Sequence, residues 1–312
     1  MNKKDLKVVF MGTPEISATV LKALIENGYH VIGVIAQPDR PVGRKGELEK
    51  VPTKIVAEKY GIPVFQPVKI RLDYEFLKEL KPDIIITLAY GQIVPQGVLD
   101  IPPLKCLNLH GSLLPKYRGA APIQYALINN DEETGMTLME MVKAMDAGQM
   151  FAKKVVKIDK EDNSTSLFKK MGEAAKELIL ESLPLYIEGK LKGEEQDENL
   201  VSICPTIKPE QERLSLDYSV KEMFGWIRGL SDAPGAYLLL DNQKFKIFKA
   251  EIANDKVSGE VGTIVEADKH GLLLQCKDGQ LALLEVQKEG KKRMDYKSFL
   301  NGNQGLLGKK LD

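Results

Sequence analysis

Apolar positions along the first half of the chain fall into two rhythms. Residues 6–11 form a short apolar run that ends at Gly12 and reads as a buried strand. Thr13 stands as a helix cap with Pro14 at the first position and Glu15 in the first turn, and Ile16, Val20, Leu21 and Leu24 recur at helical spacing. Asn27-Gly28 stops that helix, and residues 29–36 supply the next strand. The alternation continues with a helix over 54–60, a strand at 64–65, a helix over 72–80, and strands over 84–88 and 104–109. Strands alternating with helices predict an α/β fold, a Rossmann-like parallel sheet covered on both faces, with ligands outside the carboxyl ends of its strands. Gly12, residues 37–40, Tyr90-Gly91 and residues 108–114 all fall at such ends. MGTPEI lacks the further glycines of a dinucleotide fingerprint, so a nicotinamide cofactor is disfavoured.

The rhythm changes further on. Residues 164–187 are a long amphipathic segment in which Leu167, Phe168, Met171, Ala175 and Leu178 share a face. Residues 189–200 are polar and charged. Beyond Pro209 come a helix over 218–230 and short strand-like runs at 236–240, 245–250, 262–265, 271–275 and 281–286, separated by polar turns. That spacing predicts a small β-barrel, OB-like in type. The expected organisation is therefore a catalytic domain over 1–189, a linker over 190–206 and a β-barrel domain over 207–312.

Composition adds limits. With 43% hydrophobic and 28% charged residues, the chain can bury real cores. Its 44 basic and 44 acidic side chains cancel, so any nucleic acid must be met by a local patch. Cys106, Cys204 and Cys276 lie too far apart for a CxxC pair, which predicts no zinc site and no disulfide framework. No apolar run approaches the ~18–20 residues of a membrane span, and the apolar stretch near the N-terminus is too short for a signal peptide. A cytoplasmic monomer with no membrane or DNA partner is the expectation.

The chemistry concentrates in LNLHGSLLPKYRG, residues 107–119. Asn108 and His110 stand two apart in a strand and so face one pocket, where the strand breaks into a Gly/Pro loop. Asp146 follows in AMDAGQM. An amide, an imidazole and a carboxylate suit an acyl transfer, with a donor for a developing oxyanion and groups to manage an amine's proton.

The segment resembles the folate-dependent formyltransferases. The resemblance implies Asn108, His110 and Asp146 as the catalytic set. It also implies a loop formed by Ser112, Leu113, Leu114 and Pro115 that, with Tyr90 and Gly91, holds the folate. The formyl donor would be 10-formyltetrahydrofolate, with no metal. Within that family, residues 34–54 (VIAQPDRPVGRKGELEKVPTK) resemble the loop with which methionyl-tRNA formyltransferases enter the acceptor end of initiator tRNA. Arg40, Arg44 and Lys45 would present cations there. Residues 227–238 and 286–302 resemble the same branch. Between 288 and 297, Lys288, Lys291, Lys292, Arg293 and Lys297 stand against Glu289 and Asp295, and Lys291, Lys292 and Arg293 are expected on phosphates. The resemblance thus implies transfer of a formyl group to the α-amino group of methionyl initiator tRNA. The alternative is a nucleotide-sugar amine formyltransferase that uses the same donor and also carries a second domain.

Overall fold

The structure, a computed structural model, describes residues 3–42 and 46–312. The chain divides into two compact units. One comprises Met1–Ala120, Thr134–Lys157 and Phe168–Cys204; the other comprises Ala121–Glu133, Ile158–Leu167 and Pro205–Asp312.

The first unit contains strands β1 (Lys7–Gly12), β2 (His30–Ile35), β3 (Arg40–Val42), β4 (Glu47–Glu49), β5 (Val64–Phe65), β6 (Ile84–Leu88), β7 (Cys106–His110), β8 (Arg118–Gly119), β9 (Glu133–Glu140), β10 (Met150–Lys157) and β11 (Ile203–Cys204). Seven of them form one sheet in the order β10-β9-β7-β6-β1-β2-β5. The pairs β1–β2, β1–β6, β2–β5 and β6–β7 are parallel, as the alternation of strands and helices predicts. β9 is antiparallel to β7, so the sheet is mixed at that side. No strand is predicted from the sequence at β9, and its burial explains why: six consecutive positions are buried, which leaves no alternation, and Gly135 interrupts the run.

The central strands are buried on both faces, which is why VVFM and IIITL read as continuous apolar runs. Helix α1 (Glu15–Glu26) packs close behind β1 because Gly12 has no side chain. A Cβ there would lie 2.7 Å from the Ser17 Cβ on α1 and 2.6 Å from the carbonyl oxygen of Leu88, which follows Thr87 in the neighbouring strand. Thr13 does not cap α1. Its hydroxyl donates to the Tyr90 carbonyl at 3.1 Å and accepts from the Gln37 amide at 3.1 Å, joining the ends of three strands.

Residues 190–204, expected within a linker, are structured. Glu194 bridges Met150, the Asp197 carboxylate caps the turn at Glu198–Leu200, and β11 pairs parallel with β8. These bonds use backbone and polar side chains, so their composition resembles that of a loose connector.

The second unit is built on β12 (Ala236–Leu240), β13 (Gln243–Asn254), β14 (Ile264–Ala267), β15 (Leu272–Gln275), β16 (Gln280–Lys288) and β17 (Met294–Asp295), ordered β12-β13-β16-β15-β14 with β17 on β16. Neighbouring strands along this order run antiparallel. The last residues of the chain close this sheet. Asp312 exchanges two backbone hydrogen bonds with Leu239 on β12, while Ile264 on β14 donates to Lys309 and accepts from Gly308. Both edges are thereby paired and the sheet becomes a barrel. The helix Val220–Leu230 lies against it, started by a reciprocal Ser219/Glu222 capping box, and buries Met223, Ile227 and Leu230 in the barrel core.

Among the described residues no helix is long and apolar enough to cross a membrane.

Candidate active site

β7 ends at the site, and its pleat decides what faces the ligand. Cys106 lies in the apolar core with Val9, Met11, Ile85 and Tyr90. Asn108 and His110, two and four residues on, therefore point to that same face where the core gives way to the strand ends. Asn108 is half-buried, and its amide has no partner among the described residues. Thr87, directly across from Asn108 on β6, is buried with an unpartnered hydroxyl. The buried Tyr90 hydroxyl, just past β6, also lacks a partner among the described residues, and burial pushes its pKa up to about 12. These polar atoms, short of partners on an otherwise apolar face, are unusual for a protein interior and fit a ligand with polar edges.

His110 is 5% exposed. Its Nε2 lies 2.8 Å from the Tyr117 carbonyl oxygen, which can only accept, so Nε2 carries a proton. Nδ1 faces Asp146, 3.7 Å from Oδ2, beyond hydrogen-bond range. Ring orientation thus rests on Tyr117 rather than on Asp146. The Asp146 carboxylate is itself held at 2.9 Å by the Gly119 amide. Gly119 has φ +126°, and a Cβ there would stand 2.3 Å from the Cys204 carbonyl oxygen, so the close β8–β11 pairing requires glycine.

The loop Ser112–Pro115 folds back over β9. Leu114 packs with Met139 and Met150. Thr137, paired across from His110, staples the loop: its hydroxyl donates to the Ser112 carbonyl at 2.7 Å and accepts from the Leu114 amide at 3.1 Å. Ser112 is buried, while Leu113 and Pro115 are half-buried. Gly91, with φ +88°, turns the chain beside Gln37.

Three contributors are not foreseen from the sequence. Thr137 offers a faint signal, one hydroxyl in the apolar run GMTLM. Gln196 and Arg118 offer none. Gln196 is buried and donates through Nε2 to the carbonyls of Asp146 at 2.7 Å and Gly148 at 2.9 Å. Its Oε1 accepts from Arg118 Nε at 2.9 Å, and the Arg118 guanidinium forks onto Glu198.

The expected cationic residues are dispersed. Arg40 is exposed on the β3–β4 hairpin, paired across from Glu49. Arg44 and Lys45 lie outside the described residues. In the second unit Lys291 and Lys292 are exposed, whereas Arg293 is committed: it pairs with Asp232 at 2.5 Å and Glu285 at 2.6 Å and covers the Phe248 ring at 4.4 Å. All three cysteines are free and buried, and burial pushes the Cys106 thiol up to about 12, which keeps it an inert core group.

A Rossmann-like unit with an amide, imidazole and carboxylate at its strand ends, followed by a small barrel, defines a two-unit transferase. Comparison with known proteins narrows the class. The profile described as "Formyl transferase" matches residues 6–183, and "Formyl transferase, C-terminal domain" matches residues 206–304. The chain belongs to the formyl transferase family. It is 49% identical over 298 residues, 95% of each chain, to a Lactobacillus acidophilus protein named methionyl-tRNA formyltransferase. Among solved structures, the N-formyltransferase of Helicobacter canadensis with folinic acid and dTDP-3-aminofucose shares the fold at TM-score 0.70 and 19% identity, over 91% of this chain and 99% of that one. HypX from Aquifex aeolicus with tetrahydrofolic acid does so at TM-score 0.65 and 18% identity, over 97% of this chain and 48% of that one.

Proposed function

We propose that the chain transfers the formyl group of 10-formyltetrahydrofolate to the α-amino group of methionyl initiator tRNA. The chemistry rests on one observation: His110 Nδ1 and Asp146 Oδ2 lie 3.7 Å apart at the end of the strand that carries Asn108, on a face where the buried Thr87 and Tyr90 hydroxyls have no partner among the described residues. The acceptor rests on the relative, matched nearly end to end through both units and named for methionyl-tRNA.

The donor is a substrate. Its ring system suits the apolar face, with Thr87 and Tyr90 hydroxyls free to meet polar edges and the Ser112–Pro115 loop as a wall. An aminoacyl α-amine starts from a pKa of about 7.7–8.0, lowered by esterification, so a useful share is neutral at pH 7. It attacks the formyl carbon, the carbonyl oxygen becomes an oxyanion, and the bond to the folate nitrogen then breaks. The Asn108 amide donates to that oxyanion, a contribution of roughly 3–4 kcal/mol. Because the Nε2 proton is committed to Tyr117, Nδ1 and the Asp146 carboxylate are the groups that take the amine's proton and return one to the leaving nitrogen.

Asn108→Ala, His110→Ala and Asp146→Ala should each lower turnover about 100-fold or more with folate affinity within a few-fold. Near-normal turnover in His110→Ala would end the assignment. The expected monomeric state belongs to the same proposal, and sedimentation of the free protein checks it.

A further inference from the structure

We infer that Gln196 is a positioning residue for Asp146. It acts as a buried amide clamp that sets where the carboxylate stands relative to His110, a role that depends on the proton handling proposed for Asp146.

The loop that carries Asp146 has little else to hold it. Residues 142–145 are exposed, Met145 by 59%, so apolar burial does not orient the loop. Asp146 sits at φ 50°, a left-handed conformation that costs a non-glycine residue about 1–3 kcal/mol and persists only where its surroundings impose it. Two partners do so. The Gly119 amide takes the carboxylate, and Gln196 takes the main chain, donating both Nε2 hydrogens to the carbonyls of Asp146 and Gly148. Gly148 also lacks room for a side chain, since a Cβ would lie 2.0 Å from the Glu140 carbonyl oxygen.

The orientation of the Gln196 amide is fixed by chemistry. Arg118 Nε can only donate, so Oε1 must face it and Nε2 must face the two carbonyls. Arg118 in turn forks onto Glu198 and immediately precedes Gly119 in β8. Both groups that grip Asp146 are therefore tied to Arg118, one through its side chain and one through its backbone. A buried amide with all three of these bonds made has one arrangement, and the carboxylate inherits that precision. Misplacement of a reacting group by about 1 Å can cost 100-fold in rate.

The test uses the full chain with Gln196→Met, which keeps the volume and removes the clamp, and Gln196→Glu, which keeps the acceptor toward Arg118 and loses both donors. Circular dichroism and tetrahydrofolate binding establish that each variant is folded. Each should lower kcat between about 10- and 100-fold with KM for the donor within about threefold, and should move the pH–rate profile. The same substitutions are then made in an Asp146→Asn background. A residue that acts through Asp146 loses its effect there, so the double variant should match Asp146→Asn within about twofold. A further tenfold loss in the double variant, or normal kcat in both folded single variants, would overturn the inference. If neither variant folds, Gln196 is a structural residue and the inference fails as well. Full activity of Asp146→Asn alone would instead overturn the proton-handling role proposed for that carboxylate.

Discussion

Thr137→Val isolates the staple that holds the folate loop. Valine has nearly the shape of threonine, so packing changes little, but the hydroxyl that serves Ser112 and Leu114 is lost. Thr137 is fully buried, so water does not replace it. Each buried group left unpaired costs about 1–3 kcal/mol, and the added methyl returns about 0.8 kcal/mol. Two such groups give a net loss of about 3 kcal/mol. Amide exchange read by mass spectrometry over residues 106–114 and 133–140 measures this within the first unit. Since about 1.4 kcal/mol is a factor of ten, exchange governed by that opening should accelerate by about two orders of magnitude. Trp226, the sole tryptophan, reports on the second unit, and its folded emission should be unchanged. Thr137→Ser retains the hydroxyl and should recover most of the loss. A change below about 1 kcal/mol in Thr137→Val, or an equal effect in Thr137→Ser, would refute the staple.

Gly119→Ala should cost about 2–4 kcal/mol and at least tenfold in turnover, because the new Cβ meets the Cys204 carbonyl at 2.3 Å and displaces the amide that holds Asp146; urea unfolding and single-turnover rates check both. Burial raises the pKa of Asp39, but hydrogen bonds from Lys54 and Gln66 outweigh it and hold the carboxyl below its usual range. A folded-state pKa below the unfolded value stabilises above the unfolded pKa, and that stability fades as pH falls through the folded pKa. Asp39→Asn should therefore be less stable than the parent at pH 7, with the gap closing below roughly pH 5 in melts taken across the range. Arg44→Ala should leave stability within about 0.5 kcal/mol yet weaken tRNA formylation steeply. Removing Lys291 and Lys292 together should flatten the salt dependence of tRNA binding, by a slope of up to about 0.9 for each phosphate no longer neutralised.

Much of this was legible in the chain because local and tertiary preferences agree. The strands β1 and β6 are apolar along almost their whole length, β1 ends at Gly12 and Gly111 follows β7, and the helix Ser164–Ile187 shows its apolar face over its whole length. Asn108 and His110 could be placed on one face because a strand's pleat fixes that relation without any tertiary knowledge. What stayed hidden depends on partners distant in sequence. The Tyr117 carbonyl that orients His110 is a backbone atom and has no residue signature. Gln196 meets Asp146 from fifty residues away, inside a polar stretch that composition cannot tell from a linker. The closing tail over residues 308–312 works through backbone bonds to Leu239 and Ile264, which a sequence such as GKKLD does not advertise.

The acceptor is the central claim, and one competition measures it. Formyl-labelled 10-formyltetrahydrofolate is incubated with the protein and, in parallel, methionyl initiator tRNA, a nucleotide-sugar amine, or neither. Label should pass rapidly to the tRNA-bound methionine, with transfer to the sugar amine and release as free formate slower by at least about two orders of magnitude. Equal or faster formylation of the sugar amine, or release of formate without transfer, would contradict a tRNA acceptor.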